Sequence, residues 1–185
     1  MKNKVIIFIG PPFAGKETQT RLLSKRLNLP VFSMGALVRK AYEEGDPDAV
    51  EGFENYSMKG LHIPTPMKFK FLKSKIDPLE NSFILDNFPA TKEDLDTFIN
   101  YIQTKNLEIE KVFLLNVTEE EMIKRMKERG RKDDREDIIA KRREEQDRDR
   151  EVLINYFKRE NKLSEIDGNK SIEEVHEDIL KNLKL

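Results

Sequence analysis

The run Val5-Ile6-Ile7-Phe8-Ile9, followed at once by Gly10-Pro11-Pro12-Phe13-Ala14-Gly15-Lys16-Glu17-Thr18, constrains this chain more than any other stretch. Consecutive apolar, mostly β-branched residues without polar alternation describe a strand buried on both faces, as in a parallel sheet. Behind it comes the spacing G-x-x-x-x-G-K, and then helical periodicity in Leu22, Leu23 and Leu27, the context that a phosphate-binding loop requires. Gly10 and Gly15 permit the tight backbone path, successive amide hydrogens converge on phosphate oxygens, and the helix amino terminus adds a positive dipole end. Lys16 is placed to set its ammonium on the β and γ phosphates. A Gly-rich β–α turn without a ligand is the competing reading, and strand, spacing, lysine and helix together argue against it. Glu17 occupies the position where most such loops carry the Ser or Thr that ligates magnesium. That leaves a carboxylate close to phosphate charge unless it points away or touches the metal.

Four more short apolar runs, at 30–33, 82–86, 112–117 and 163–167, each lie between segments with helical signals. Strands alternating with helices predict a parallel α/β sheet with right-handed crossovers. The first helix is predicted over 18–27, ended by Asn28 and Pro30. Thr91-Lys92-Glu93-Asp94 resembles a capping box before Leu95, Phe98, Ile99 and Ile102, and Thr118-Glu119-Glu120-Glu121 does the same before Met122, Ile123 and Met126. Residues 137–159 form one long candidate helix, densely charged, with Glu144 and Arg148 in the favourable i, i+4 order. Ser171 opens a last helix with Ile172, Val175, Ile179 and Leu180 on one face. Between 43 and 66, three Gly and three Pro stand among few periodic apolar residues, which predicts a small helical insertion with turns.

Composition narrows the class. A length of 185 residues fits one domain. The absence of Cys excludes a disulfide scaffold and a thiolate zinc site, and His62 and His176 lack metal-ligand spacing and read as structural. With 34 Lys plus Arg against 35 Asp plus Glu, the formal charge is -1, which argues against nucleic-acid binding through a net basic field. The apolar run at 5–9 is too short for a signal peptide or membrane span, and no other window approaches that length, so a soluble cytoplasmic protein without a membrane partner is expected.

The loop sequence GPPFAGKETQ resembles that of adenylate kinases and related nucleoside monophosphate kinases, usually GxPGxGKGTQ. Further segments follow in family order. Ser33-Met34-Gly35-Ala36-Leu37-Val38-Arg39 resembles S-T-G-D-L-L-R, Lys59-Gly60-Leu61-His62-Ile63-Pro64 resembles K-G-x-L-V-P, and 83–91 is similar to F-[IL]-L-D-G-F-P-R-T. Arg125 to Arg129 resembles the R-x-x-x-R before the lid, Gly130-Arg131-Lys132-Asp133-Asp134 its G-R-x-D-D, and Arg142 the Arg of the following helix. The resemblance covers nearly the whole chain.

It implies a P-loop NTPase fold with a five-stranded parallel sheet flanked by helices. The core would comprise 1–33, 67–128 and 137–185, with a monophosphate-binding insertion at 34–66 and a short lid at 129–136. It further implies phosphoryl transfer from Mg-ATP to a nucleoside monophosphate, AMP first, in a monomer. Such chemistry needs alignment, cations and exclusion of water more than a protein nucleophile. Carried over by position, Gly10, Pro11, Phe13, Ala14, Gly15, Lys16, Glu17, Thr18, Arg125 and Arg129 would hold ATP. Met34, Gly35, Arg39, Ile63, Asn87, Asp94, Arg131 and Arg142 would hold the acceptor, and Thr18 and Asp86 would place Mg²⁺ through water. Lys16, Arg125, Arg131 and Arg142 would act on the transferred group.

The acceptor side departs most from the family pattern. Ala90 replaces the Arg of F-P-R, Asp94 the Gln or Asn that reads the base, Met34 a Thr or Ala, and Ala36 an Asp. Phe13 brings a bulky side chain beside the phosphate path where the family has Gly, and Asn87 replaces Gly where a left-handed backbone is needed. Only Gly130 separates Arg129 from Arg131, leaving no room for a zinc-bearing hairpin. Two alternatives stay open: a nucleotide-binding relative with weak or no kinase activity, acting as sensor or partner-binding module, and a kinase preferring CMP or UMP.

Overall fold

The amino-terminal apolar run is covered on both sides. In the computed structural model, which describes the backbone of residues 2–129 and 136–185 and their side chains except those of 129 and 136–142, strands β1 (Asn3–Ile9), β2 (Val31–Ser33), β3 (Phe83–Asp86), β4 (Leu107–Asn116) and β5 (Leu163–Asp167) form one sheet. Their order is β2-β3-β1-β4-β5 and every neighbouring pair is parallel. Helices α1 (Lys16–Leu27), α2 (Met34–Glu43), α3 (Pro47–Asn55), α4 (Thr65–Ile76), α5 (Lys92–Gln103), α6 (Glu119–Arg129), α7 (Glu136–Arg159) and α8 (Ile172–Asn182) connect or follow the strands.

Side chains of β1 alternate between two cores because successive strand residues point to opposite faces. Val5, Ile7 and Ile9 join Leu85 and Val112 beneath Leu72 of α4, Phe98 of α5 and Phe157 of α7. Ile6 and Phe8 join Ile84 and Phe113 against Leu23 of α1 and Val175 and Ile179 of α8. Each such side chain stabilises the fold by roughly 1.5–3 kcal/mol through burial. The double cover is why the run shows no polar alternation.

β1 and β4 both begin ahead of their apolar runs. β4 begins at Leu107, five residues ahead of the run at 112–117, because buried Leu107 and Ile109 alternate with Glu108 and Glu110 and pair with Asn3 to Val5. Val5 pairs with Ile109 but Ile6 with Lys111, so Glu110 is the extra residue of a bulge. Helix ends follow local chemistry. Asn28, at φ 54, closes α1 in the left-handed conformation, and Thr91 with Asp94 and Ser171 with Glu174 form full capping boxes. The second expected box is only half made: Thr118 Oγ1 accepts from Glu121 N at 3.4 Å, but the Glu121 carboxylate turns to Arg125 Nε, and Thr118 N donates to Asn169 Oδ1.

Between α2 and α4 the chain forms α3, capped by Asp46 and opened by Pro47, and a single 3₁₀ turn at Ser57–Lys59. The order of strands puts the β1 carboxyl end where successive connections leave toward opposite edges, the place at which open parallel sheets bind ligands. Of the lid expected at 129–136, residues 130–135 lie outside the description, as do the side chains of Arg129, Arg131 and Arg142. Among the described residues no helix is long and apolar enough to cross a membrane.

Candidate active site

A cavity of about 530 Å³ lies at the carboxyl ends of β1, β2 and β3. On one side stands the loop between β1 and α1. Gly10, at φ 148, passes so close to β4 that a Cβ there would lie 2.4 Å from the Leu115 carbonyl oxygen. Gly15, at φ 92, turns the chain into α1. Lys16 folds back over the loop, its ammonium donating to the Gly10 and Pro11 carbonyl oxygens at 2.8 Å each. That holds a cation beside the amino terminus of α1, where the helix dipole already favours an anion.

Phe13 takes φ 63, a left-handed conformation that a bulky residue adopts only when its surroundings hold it there. Its ring is buried with Met122 and Met126 of α6. The side chain expected beside the phosphate path thus also ties the loop to α6. Arg125, from the same helix, donates to the Phe13 carbonyl oxygen at 3.2 Å and the Gly168 carbonyl oxygen at 2.8 Å, while Glu121 accepts from its Nε at 2.8 Å. Two carbonyl groups and a carboxylate thereby orient the guanidinium at the edge of the cavity.

Asp86 ends β3 beneath the loop. It is buried, and its Oδ1 has no hydrogen-bond partner among the described residues. Burial pushes its carboxyl above the usual range, and the nearby Glu17 charge adds to that, while Lys16, a Ser33 hydrogen bond and Arg39 oppose it. An orphaned carboxylate oxygen of this kind, with Thr18 and Glu17 lining the same cavity, is chemically suited to a hard cation such as Mg²⁺.

Opposite the loop, the cavity is lined by Met34, Gly35 and Arg39 of α2, by Ile63, and by Asn87 and Ala90 after β3. Gly35 makes room for the Arg39 guanidinium, since a Cβ there would lie 3.1 Å from Nη1. Asn87 adopts φ 60, the left-handed backbone expected at that position.

Asp94 departs from its expected place. It is 0 % exposed and is not among the residues lining the cavity. Oδ1 accepts from Thr65 Oγ1 at 2.7 Å, and Oδ2 accepts from Lys68 Nζ at 2.6 Å, Ala90 N at 3.0 Å and Thr91 N at 3.2 Å. Oδ2 already takes three of these bonds and the whole side chain is buried out of the cavity, so the carboxylate is not presented to a nucleotide base. The physical reason is the capping box: turning back to cap α5 draws the carboxylate into the protein, toward α4.

Sequence reasoning also missed several cavity residues, among them Lys68, His62 and Gln146. Lys68 looks like an ordinary helix lysine, and only its distant partner Asp94 reveals it. His62 Nε2 lies 3.3 Å from Asp149 Oδ2 of α7, close enough to pair but not aligned for a hydrogen bond. Burial, then the Lys68 charge, lowers the His62 pKa below 6.5 against the pull of Asp149. His176, by contrast, contacts Gln19 at 3.2 Å, away from the cavity.

A phosphate loop at the first turn of a parallel sheet, facing a second group of cationic and apolar residues across one cavity, defines a nucleotide-dependent phosphotransferase framework. The family described as adenylate kinase matches residues 8–162. The chain is 32 % identical to an adenylate kinase of Corynebacterium urealyticum over 174 residues, covering 93 % of this chain and 94 % of that relative. It is likewise 32 % identical to adenylate kinases of Leptospira biflexa (97 % of this chain, 100 % of the relative) and Prochlorococcus marinus (99 % and 100 %). The chain belongs to the adenylate kinase family, ATP-dependent kinases that move a phosphoryl group between ATP and a nucleoside monophosphate.

Proposed function

We propose that this protein transfers the terminal phosphoryl group of Mg-ATP reversibly to a nucleoside monophosphate, with AMP as an acceptor. The observation that carries the reading is the convergence of Lys16, Arg39, Arg125 and the orphaned Asp86 oxygen on one cavity. The name shared by the relatives supports AMP.

In this reading the loop 10–18 and Arg125 hold ATP, and the insertion at 34–66 holds the acceptor, with Arg39 on its phosphate. Arg129, Arg131 and Arg142 complete the cationic set from the lid at 129–136 and the helix after it. Asp86 and Thr18 would hold Mg²⁺, which when bound spreads the charge of the phosphates. Lys16 moves from the Gly10 and Pro11 carbonyls to phosphate oxygens, a short displacement because both carbonyls belong to the loop that cradles the phosphates. Closing the site against water protects the transfer from hydrolysis. The protein works as a cytoplasmic monomer.

A coupled assay with Mg-ATP against AMP, CMP, UMP and GMP tests the reading, with Lys16→Ala as background and calorimetric ATP binding alongside. Turnover of AMP well above that background is expected. ATP binding with no turnover of any acceptor above it would overturn the kinase reading.

A further inference from the structure

Lys68 has no part in the function just described. It is 4 % exposed, lines the cavity, and donates to Asp94 Oδ2 at 2.6 Å. An ammonium has three N–H donors, and Asp94 is the acceptor it meets among the described residues. Asp94 in turn does not rely on Lys68 alone, because Thr65 Oγ1, Ala90 N and Thr91 N also donate to it. The ammonium can therefore serve a second anion without leaving the first. Donors unmade at a cavity wall carry a desolvation cost that a ligand oxygen offsets.

The hydrogen bonds fix where on the acceptor side this cation stands. Lys68 Nζ, at 2.6 Å, and Ala90 N, at 3.0 Å, meet on the same oxygen, Asp94 Oδ2. Ala90 lines the cavity too, and it ends the short segment 87–90 that leaves β3 beside the phosphate loop. Asn87 N, at the start of that segment, donates at 2.9 Å to the carbonyl oxygen of Phe8, two residues before Gly10. In-line transfer brings the acceptor's phosphate to about 3–3.5 Å from the terminal phosphate of ATP, so its subsite belongs to the part of the acceptor side next to that loop. The base, at the other end of the monophosphate, lies farther off. Position 90 is where the family pattern has Arg and this chain has Ala. An ammonium from α4 thus stands in the corner where a side chain at 90 begins.

We propose that Lys68, positioned by Asp94, binds the acceptor's phosphate and supplies from α4 the positive charge that Ala90 does not. The ammonium keeps its bond to Asp94 and donates a second, charge-assisted hydrogen bond to a phosphate oxygen. Arg39 holds the same group from α2. This rests on the reading of the cavity as a nucleoside monophosphate site and adds to it a contact common to every acceptor base.

Calorimetric titration with AMP and with adenosine separates the phosphate from the nucleoside. Lys68→Met combined with Asp94→Asn removes the pair without leaving a lone buried charge, and a thermal melt reports whether it folds. Should it not fold, Lys68→Gln with Asp94→Asn, which keeps a hydrogen bond between the two side chains, carries the same comparison. The ratio of AMP to adenosine affinity is expected to fall roughly ten- to hundredfold, the worth of one hydrogen bond to a charged group. At saturating Mg-ATP, kcat/KM is expected to fall by a similar factor for AMP, CMP, UMP and GMP alike. An unchanged AMP-to-adenosine ratio, or a loss confined to some of the bases, overturns the proposal. Ala90→Arg gives the converse test: its gain in AMP affinity is expected to be larger in the double variant than in the wild type, because two cations sharing one task do not add. Equal gains in both backgrounds overturn the proposal. A chain that transfers nothing, yet loses AMP but not adenosine with Lys68, refutes the kinase reading and keeps this one. A chain that transfers to AMP with its ratio untouched by the double variant does the reverse, and a wild type that binds no AMP refutes both.

Discussion

Replacing Asp94 with Ala removes one carboxylate that four donors share. The Lys68 ammonium loses its acceptor, Thr65 Oγ1, Ala90 N and Thr91 N lose theirs, and the capping box of α5 opens. Breaking one side of a buried ion pair costs about 3–5 kcal/mol, and loss of an amino-terminal cap about 1 kcal/mol. Lys68 borders a cavity that water can enter, so the lower end applies, and a net loss of about 4 kcal/mol is expected. For a chain of this size each kcal/mol lowers the melting temperature by roughly 2–4 °C, giving a drop of about 8–16 °C. Thermal and urea unfolding monitored by circular dichroism measure it. The double change Lys68→Met with Asp94→Asn keeps a polar cap and leaves no charge stranded, so it should stay within about 1–2 kcal/mol of the wild type. If Asp94→Ala melted within about 3 °C of the wild type, roughly 1 kcal/mol, the carboxylate would not be the hub described here.

Three further outcomes are expected. Phe13→Gly relieves left-handed backbone strain of about 1–2 kcal/mol but removes a ring buried with Met122 and Met126, typically about 3–5 kcal/mol, so a net loss of about 2 kcal/mol should appear in urea unfolding. Burial raises the Asp86 carboxyl above 3.8, so above that pH the native state binds more protons than the unfolded state and stability falls as pH rises through the folded value. Asp86→Asn should therefore flatten the pH dependence of unfolding, raise the nucleotide-free melting temperature at neutral pH, and lower phosphoryl transfer. A variant that gained no stability would contradict the burial argument. Ala90→Arg adds a cation on the acceptor side of the cavity and should raise acceptor kcat/KM by up to roughly 10²-fold at fixed Mg-ATP. Unchanged acceptor kinetics would show that position 90 no longer faces the acceptor.

The phosphate loop, all five strands, the turn at Asn87 and the capping box at Thr91 could be read directly from the residues. Each depends on neighbours within a few positions: a strand on its apolar run, a turn on a left-handed residue, a cap on a side chain three residues away. The alternation of Leu107 and Ile109 with glutamates was harder to read, because only pairing with Asn3 to Val5 makes it a strand. Lys16 and Arg39, expected at the nucleotide site from their motifs, both line the cavity.

Tertiary structure decided where the polar groups end up. Asp94 was expected at the acceptor base, yet packing of α4 on α5 puts Thr65 and Lys68 beside it and holds its carboxylate out of the cavity. Phe13 looks like an obstruction until α6 supplies Met122 and Met126 as its partners. His62 looks structural until the cavity forms around it and α7 brings Asp149 within 3.3 Å. Local sequence determines which conformations a segment favours, through steric and short-range hydrogen-bonding terms. Which donors and acceptors are desolvated together, and so which charges must pair, is settled only when distant segments exclude water from the same space.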